Sequence, residues 1–352
     1  MNMRSYLKRH LGSKLLSFII ISAICCLVCF VLSVGNQSHE YTRQTEFSYT
    51  VHVRYDPTLG MSVFVLCLMC IIAPVLEFQT FKHRKNLDFW YSMPISKRSL
   101  GFVHFFTGYL LVAIPFTACY VQNFIMLLLC GAAEELFLLP LIPFYFMCLL
   151  FGLVAYSVCA FVFNRASTVI DGVFTMLLWT SVFFVVTMGI NNTMYSLWGA
   201  TFYSEFVPNM WMFTPIIKLT TATHNTIMGY SIGSQLHAHL HNPNEFVHLI
   251  AWTVIGLAAA AGAVLTFGKQ RVETVQEHSS SFFCYRTLIP IYAFSIMNSI
   301  GLSNGNLPFR VFISVIAFIG YIIYRRGFRF KLSDGIVMTL IGLYSGILEF
   351  FV

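Results

Sequence analysis

Long apolar runs separated by short polar segments dominate the chain. A transmembrane helix needs about 20 consecutive apolar residues, and six runs are close to or above that length. They cover 15–34, 59–76, 101–130, 137–163, 169–190 and 247–267. Shorter runs at 287–302 and 309–324 and an apolar C-terminus at 334–352 bring the prediction to about eight or nine transmembrane helices.

The composition agrees with this pattern. The chain has 352 residues, of which 57% are hydrophobic and 10% charged, and its mean hydropathy is +0.74. A soluble domain carries about 25% charged residues. Because irregular backbone cannot face lipid, membrane spans of this kind are helices. We therefore predict an all-α polytopic membrane protein, with the third span kinked or broken near Pro115.

Basic residues are distributed unevenly between alternate polar segments. If the N-terminus is cytoplasmic, the outer segments hold Arg43, Arg54, Lys218 and Arg310, and the other 17 of the 21 Lys and Arg residues face the cytoplasm. This asymmetry follows the positive-inside rule and predicts a cytoplasmic N-terminus. The net charge of +7 then lies beside the inner membrane surface, and no nucleic-acid partner is expected.

The pattern divides the chain into four regions. Residues 1–14 are basic and predict an amphipathic helix on the cytoplasmic surface. A six-span core follows at 15–268, with a cytoplasmic segment at 78–100 and an extracellular loop at 191–246. A cytoplasmic connector at 269–286 precedes two or three additional spans at 287–352.

The segment 78–100 is the most charged and aromatic passage of the chain. Residues 82–92 can form a short helix that ends before Pro94, and Ser96 can cap the third span. Exposed aromatic and basic side chains favour a surface that docks a cytoplasmic partner; the alternative is a basic loop on anionic lipid. The candidate docking residues are Lys82, Arg84, Lys85, Asp88, Phe89, Trp90, Tyr91, Pro94 and Arg98.

Two catalytic motifs are missing from the sequence. There is no H-E-x-x-H and no complete phosphate-binding loop, and we expect no enzyme activity and no cofactor in this chain. Asp171, one turn into the fifth span, is expected to pair with Arg165. The weak metal candidates are His237, His239 and His241, whose alternation on an extended segment would suit zinc or copper; an exposed His-rich loop explains them more simply.

The run 81–100, F-K-H-R-K-N-L-D-F-W-Y-S-M-P-I-S-K-R-S-L, resembles the passage R-K-x-x-D-F-Y-x-S-L-P-I-x-R-x-x-L of permease subunits of type-2 ABC exporters from Firmicutes. Met93 stands where the family has Leu, and Trp90 is inserted. The run K-Q-R-V-E-T-V at 269–275 is similar to the family passage R-x-E-T-A-G, with Arg271 and Glu273 matching. The positions that match in the first passage are Arg84, Lys85, Asp88, Phe89, Tyr91, Ser92, Pro94, Ile95 and Arg98.

The resemblance implies a coupling helix in 78–100 that docks in a groove of a separate ATPase subunit, which would bind ATP and magnesium. It also implies a second permease chain, a bacterial plasma membrane, and an amphipathic substrate such as an antimicrobial peptide, a drug or a lipid. Two other functions stay open. One is a membrane sensor or accessory protein that docks a cytoplasmic partner, and the other is a metal-dependent membrane enzyme that uses the His cluster at 224–248.

Overall fold

The computed structural model describes residues 3–35, 38–45, 48–54, 59–83, 92, 94–129, 141–198, 211–227, 243–267, 284–299, 307–325 and 332–351. These residues form ten α-helices, one 3-10 helix and one pair of strands. The α-helices are α1 (Met3–Gly35), α2 (Leu59–Phe78), α3 (Lys97–Leu129), α4 (Leu141–Arg165), α5 (Val169–Trp198), α6 (Thr214–Ile227), α7 (Pro243–Thr266), α8 (Tyr285–Ser299), α9 (Leu307–Arg325) and α10 (Leu332–Phe351). The strands are β1 (Ser38–Thr45) and β2 (Ser48–Arg54), and the 3-10 helix is Gln79–Lys82.

Six of the described helices are long and apolar enough to cross a membrane. The candidate spans lie in α1 to α5 and in α7, at Met3–Leu32, Gly60–Lys82, Lys97–Met126, Leu141–Arg165, Val169–Tyr195 and Leu249–Thr266. The protein is therefore a helical, multi-pass membrane protein. The last three predicted spans correspond to shorter elements: α8 has 15 residues, and the apolar parts of α9 and α10 are Val311–Ile322 and Ser333–Tyr344.

The described helices agree with the predicted all-α membrane protein, and the polar segment after α1 differs from that prediction. There β1 and β2 pair as an antiparallel hairpin, with an irregular register between Arg43 and Thr45. Both strands contain Thr, Tyr or Val at several positions, and these residue types favour extended backbone. A polar segment outside the apolar runs can adopt strands, because the requirement for helices applies only where the backbone faces lipid.

Two helices are more continuous than the sequence predicts. The amphipathic helix expected at 1–14 is the first part of α1, which runs without interruption from Met3 to Gly35. The break considered near Pro115 is absent, since α3 continues through that residue to Leu129. Proline is tolerated in membrane-spanning helices because neighbouring groups can satisfy the backbone carbonyl that it leaves open.

The chain forms two compact units, and each has its own packing. The first unit consists of Met1–Glu77, Pro94–Val158 and Pro215–Leu265. In it, α1 packs against α3. Helices α3 and α4 approach closely at Gly108, where a β-carbon would overlap the Tyr156 hydroxyl. That hydroxyl donates a hydrogen bond to the Phe105 carbonyl over 3.0 Å, so the glycine is needed for this contact.

The second unit consists of Phe78–Met93, Cys159–Thr214 and Thr266–Val352. Its centre is α8, which packs against α5, α9 and α10. The Tyr292 hydroxyl of α8 donates to the Leu178 carbonyl of α5 over 2.5 Å. A β-carbon at Gly189 in α5 would lie 2.9 Å from the Ser295 carbonyl oxygen. The short helix α8 is thus held directly against the backbone of α5.

A buried polar cluster and the segment after α2

Glu77 lies in the last turn of α2, and its side chain is completely buried. A buried carboxylate is stable only when charged or hydrogen-bonding groups surround it. Ionisable residues inside apolar helices are rare and mark functional positions. The residues around Glu77 are therefore a candidate functional site.

Three side chains from two other helices contact the Glu77 carboxylate. One carboxylate oxygen, Oε1, lies 2.7 Å from His10 Nε2 and 2.6 Å from His104 Nδ1. The other oxygen, Oε2, lies 3.3 Å from Lys14 Nζ. His10 and Lys14 belong to α1 and His104 to α3. The carboxylate thus connects the N-terminal parts of α1 and α3 to the end of α2.

Tyr6 completes this group, which we call the Glu77 cluster: Tyr6, His10, Lys14, Glu77 and His104. The Tyr6 hydroxyl lies 3.2 Å from His104 Nε2, and the Tyr6 ring stacks on His10 with the planes 15° apart. A neutral imidazole carries one donor and one acceptor nitrogen. If His104 donates from Nδ1 to the carboxylate, its Nε2 accepts a hydrogen bond from the Tyr6 hydroxyl.

The Glu77 cluster was not predicted from the sequence. Tyr6, His10 and Lys14 follow each other at intervals of four, which places them along one face of α1. That spacing was an available signal, because it sets a polar stripe on a helix that continues into the membrane. His104 gave no comparable signal, since it contacts Glu77 only through tertiary packing.

The structure corrects the assignment of Lys82 to an exposed docking surface. Lys82 is 2% exposed, and its ammonium donates to the carbonyls of Asn164 over 3.1 Å and Ala166 over 2.6 Å. These carbonyls lie at the C-terminal end of α4, where backbone acceptors lack partners within the helix and the helix dipole favours a cation. The Lys82 ammonium also lies 5.5 Å from the centre of the Phe163 ring.

The helix predicted at 82–92 does not begin at Lys82, which ends the 3-10 helix and is followed by His83 in extended backbone. Pro94 and Arg98 are exposed, as a docking surface requires. The predicted cap is confirmed: Ser96 Oγ accepts a hydrogen bond from the Ser99 amide over 3.2 Å at the start of α3.

The other candidate residues lie outside the described part of the chain. In the segment after α2 they are Arg84, Lys85, Asp88, Phe89, Trp90 and Tyr91. In the later segments they are Arg271, Glu273, His237, His239 and His241.

The pairing expected between Asp171 and Arg165 is not formed. The Arg165 guanidinium lies 5.5 Å from the centre of the Phe161 ring, and the Asp171 backbone amide donates to Thr168 Oγ1 over 3.1 Å at the start of α5. Asp171 instead faces Tyr285. The pKa of Tyr285 is raised, mainly by burial and further by the negative charge of Asp171.

Comparisons of the chain with models of protein families, with curated proteins and with solved structures give no match. The functional conclusion therefore depends on the residues themselves and on their geometry.

Proposed function

We propose that this chain is the transmembrane permease subunit of an ATP-driven ABC exporter. The observation that carries the proposal is the passage 81–100, which resembles the coupling segment of type-2 exporter permeases and connects α2 to α3 in a helical membrane protein. A separate ATPase subunit would dock on this segment and bind ATP and magnesium. The substrate would be an amphipathic molecule such as an antimicrobial peptide, a drug or a lipid.

Two features at the borders of the segment support a docking role. On the α3 side, Pro94 and Arg98 are exposed, and Ser96 caps α3, so that the residues from Ser96 onward would move together with that helix. On the α2 side, Lys82 fixes the start of the segment to carbonyls at the end of α4. A docking element is effective only if it is firmly connected to the helices that it moves.

The distribution of charge supports a cytoplasmic position for this segment. With the N-terminus inside, 17 of the 21 Lys and Arg residues face the cytoplasm, as the positive-inside rule requires. The membrane would be the plasma membrane of a bacterium. A cytoplasmic ATPase could then reach the segment directly.

In the proposed mechanism, the ATPase subunits close when they bind ATP and move the docked segments. Two permease chains, either identical or different, would form the substrate pathway between them. The ATPase binds one conformation of the permease more tightly than the other, and this difference shifts the population of the two conformations. This chain would supply the pathway, and the partner would supply the hydrolysis.

Co-purification with an ATPase tests the proposal. The tagged full chain would be purified from its own host in detergent, and retention of an ABC ATPase on it would be measured. We expect Arg84→Glu with Lys85→Glu to abolish retention. The matched control is Lys8→Glu with Arg9→Glu, which reverses two exposed basic residues of α1 and should leave retention unchanged.

The possible results separate this function from its alternative. If no ATPase is retained, or if the control pair weakens retention as much as the Arg84 and Lys85 pair, the exporter proposal fails. If an ATPase is retained but substrate uptake into inverted vesicles is the same with and without ATP, the chain is an accessory protein that docks a partner.

A further inference from the structure

The Glu77 cluster brings together three side chains that could hold a metal ion. We propose that His10, Glu77 and His104 form a binding site for a divalent transition metal ion of the zinc type. Two imidazole nitrogens and one carboxylate oxygen, each from a different helix, converge there. This is the donor set of zinc sites that keep an open fourth position.

The geometry is close to what a zinc ion needs. The three ligand atoms all lie within 4.8 Å of one another. Zinc binds imidazole nitrogen and carboxylate oxygen at about 2.0–2.2 Å, so the ligand atoms of a tetrahedral site lie about 3.4 Å apart. Glu77 Oε1 is 2.7 Å from His10 Nε2 and 2.6 Å from His104 Nδ1. Each gap must open by about 0.7–0.8 Å, which small side-chain rotations can provide.

Metal binding replaces the protons that the three groups now share. His10 Nε2 and His104 Nδ1 must direct their lone pairs at the ion, so the proton of each neutral imidazole moves to its other nitrogen. For His104 that nitrogen is Nε2, which then donates to the Tyr6 hydroxyl at 3.2 Å. No charge is gained or lost by this change of tautomer.

The cluster also has the outer groups that orient metal ligands. A ligating histidine usually bonds through its second nitrogen to another group, and a ligating carboxylate is hydrogen-bonded in turn. Tyr6 does the first for His104, and Lys14 forms an ion pair with Glu77 through Oε2, the oxygen that does not contact the two histidines. The Lys14 ammonium repels a cation, but its side chain is 27% exposed, so solvent and salt screen that repulsion.

The donor set also determines which ions fit. Calcium and magnesium prefer sites built from oxygen atoms, and monovalent copper prefers thiolate or thioether ligands. Two imidazoles and one carboxylate suit zinc and its neighbours in the first transition row. The His10 side chain is 10% exposed, which gives the ion a route from the surface.

Zinc titration of the full-length chain in detergent tests the proposal. The background should carry His237→Ala, His239→Ala and His241→Ala, because these residues could bind zinc independently. After removal of metal with a chelator, zinc affinity is measured by competition with a chromophoric chelator. X-ray absorption of the bound zinc then counts its imidazole ligands.

We expect about one zinc ion per chain, with two imidazole ligands. Glu77→Gln and His104→Ala should remove this site. Tyr6→Phe should weaken it by about 10–100-fold, the usual effect of losing an outer hydrogen bond. His83→Ala, which removes an exposed histidine outside the cluster, is the matched control and should leave zinc affinity unchanged.

Several results would overturn the inference. One is a background chain that binds no zinc, and another is bound zinc with fewer than two imidazole ligands. A third is zinc binding that survives both Glu77→Gln and His104→Ala. If those variants fail to fold, the X-ray absorption spectrum of the background chain decides alone. Because the titration needs no ATPase, its result is independent of the exporter proposal.

Discussion

At the scale of single residues, two charged side chains of the described part of the chain, Glu77 and Lys82, are buried inside the protein. Glu77 is buried among Tyr6, His10, Lys14 and His104. Lys82 follows it by only five positions and is buried against backbone carbonyls. Each charge is compensated by specific partners, as burial in an apolar protein requires.

Replacing Glu77 by Gln should lower the free energy of unfolding by about 1.5–3 kcal/mol, the range for a hydrogen bond to a charged group. The amide cannot accept from both imidazoles as strongly as the carboxylate does. Thermal unfolding in detergent, with a chelator present so that no metal contributes, measures the change. Arg98→Gln removes an exposed charge and should have little effect. Equal stability of the two variants would contradict the role assigned to Glu77.

Replacing Lys82 by Met should also cost about 1.5–3 kcal/mol. The methionine fills a similar volume but leaves the Asn164 and Ala166 carbonyls without the ammonium donor. Lys97→Met is the matched control, because Lys97 is exposed. Unfolding in urea, followed by tryptophan fluorescence, reports both. A Lys82 variant as stable as the control would show that the ammonium does not stabilise the end of α4.

At the scale of elements, close approach of helices depends on particular glycines. Without a large hydrophobic driving force between helices in lipid, packing of small residues holds them together. Gly189 lets α5 reach the backbone of α8 at Ser295, and Gly108 lets α3 reach Tyr156 of α4. In contrast, a β-carbon at Gly342 in α10 would meet nothing within 4 Å.

Gly189→Ala and Gly342→Ala should therefore change stability in opposite directions. The first forces a β-carbon to 2.9 Å from the Ser295 carbonyl oxygen, which should cost about 1–3 kcal/mol. The second gains about 0.5–1 kcal/mol from helix propensity. Melting temperatures of the two variants in the same detergent make the comparison. A Gly189 variant more stable than the original chain would contradict the contact between α5 and α8.

At the scale of the whole molecule, the order of apolar runs predicted the membrane class correctly. Six of those runs correspond to candidate spans, because helices in lipid are set by local sequence. The cap at Ser96 was also predictable, since a cap depends on residues three positions apart. The β-hairpin, the burial of Lys82 and the partners of Glu77 were missed. They depend on contacts between residues far apart in the sequence, or on strand pairing in a polar segment.

Orientation in the membrane gives a prediction for the whole chain. With the N-terminus in the cytoplasm, a cysteine introduced at Arg98 should react with an impermeant maleimide only after the cells are permeabilised. A cysteine introduced at Thr221, an exposed position in α6, should react in intact cells. The two variants serve as each other's control. The reverse pattern would place the segment 78–100 outside and exclude a cytoplasmic ATPase as its partner.

Because α1 is one continuous helix, its length can be compared with the thickness of the bilayer. Its 33 residues extend about 50 Å, whereas the hydrocarbon layer is about 30 Å thick. Excess helix length is accommodated by tilt or by projection into the headgroups. Because His10 and Lys14 attach the N-terminal part of α1 to Glu77, a tilt of α1 would also displace the end of α2. A thinner membrane would therefore strain the contacts that connect α1 and α3 to Glu77 at the end of α2. Through these contacts, the thickness of the bilayer would affect the packing of the three helices.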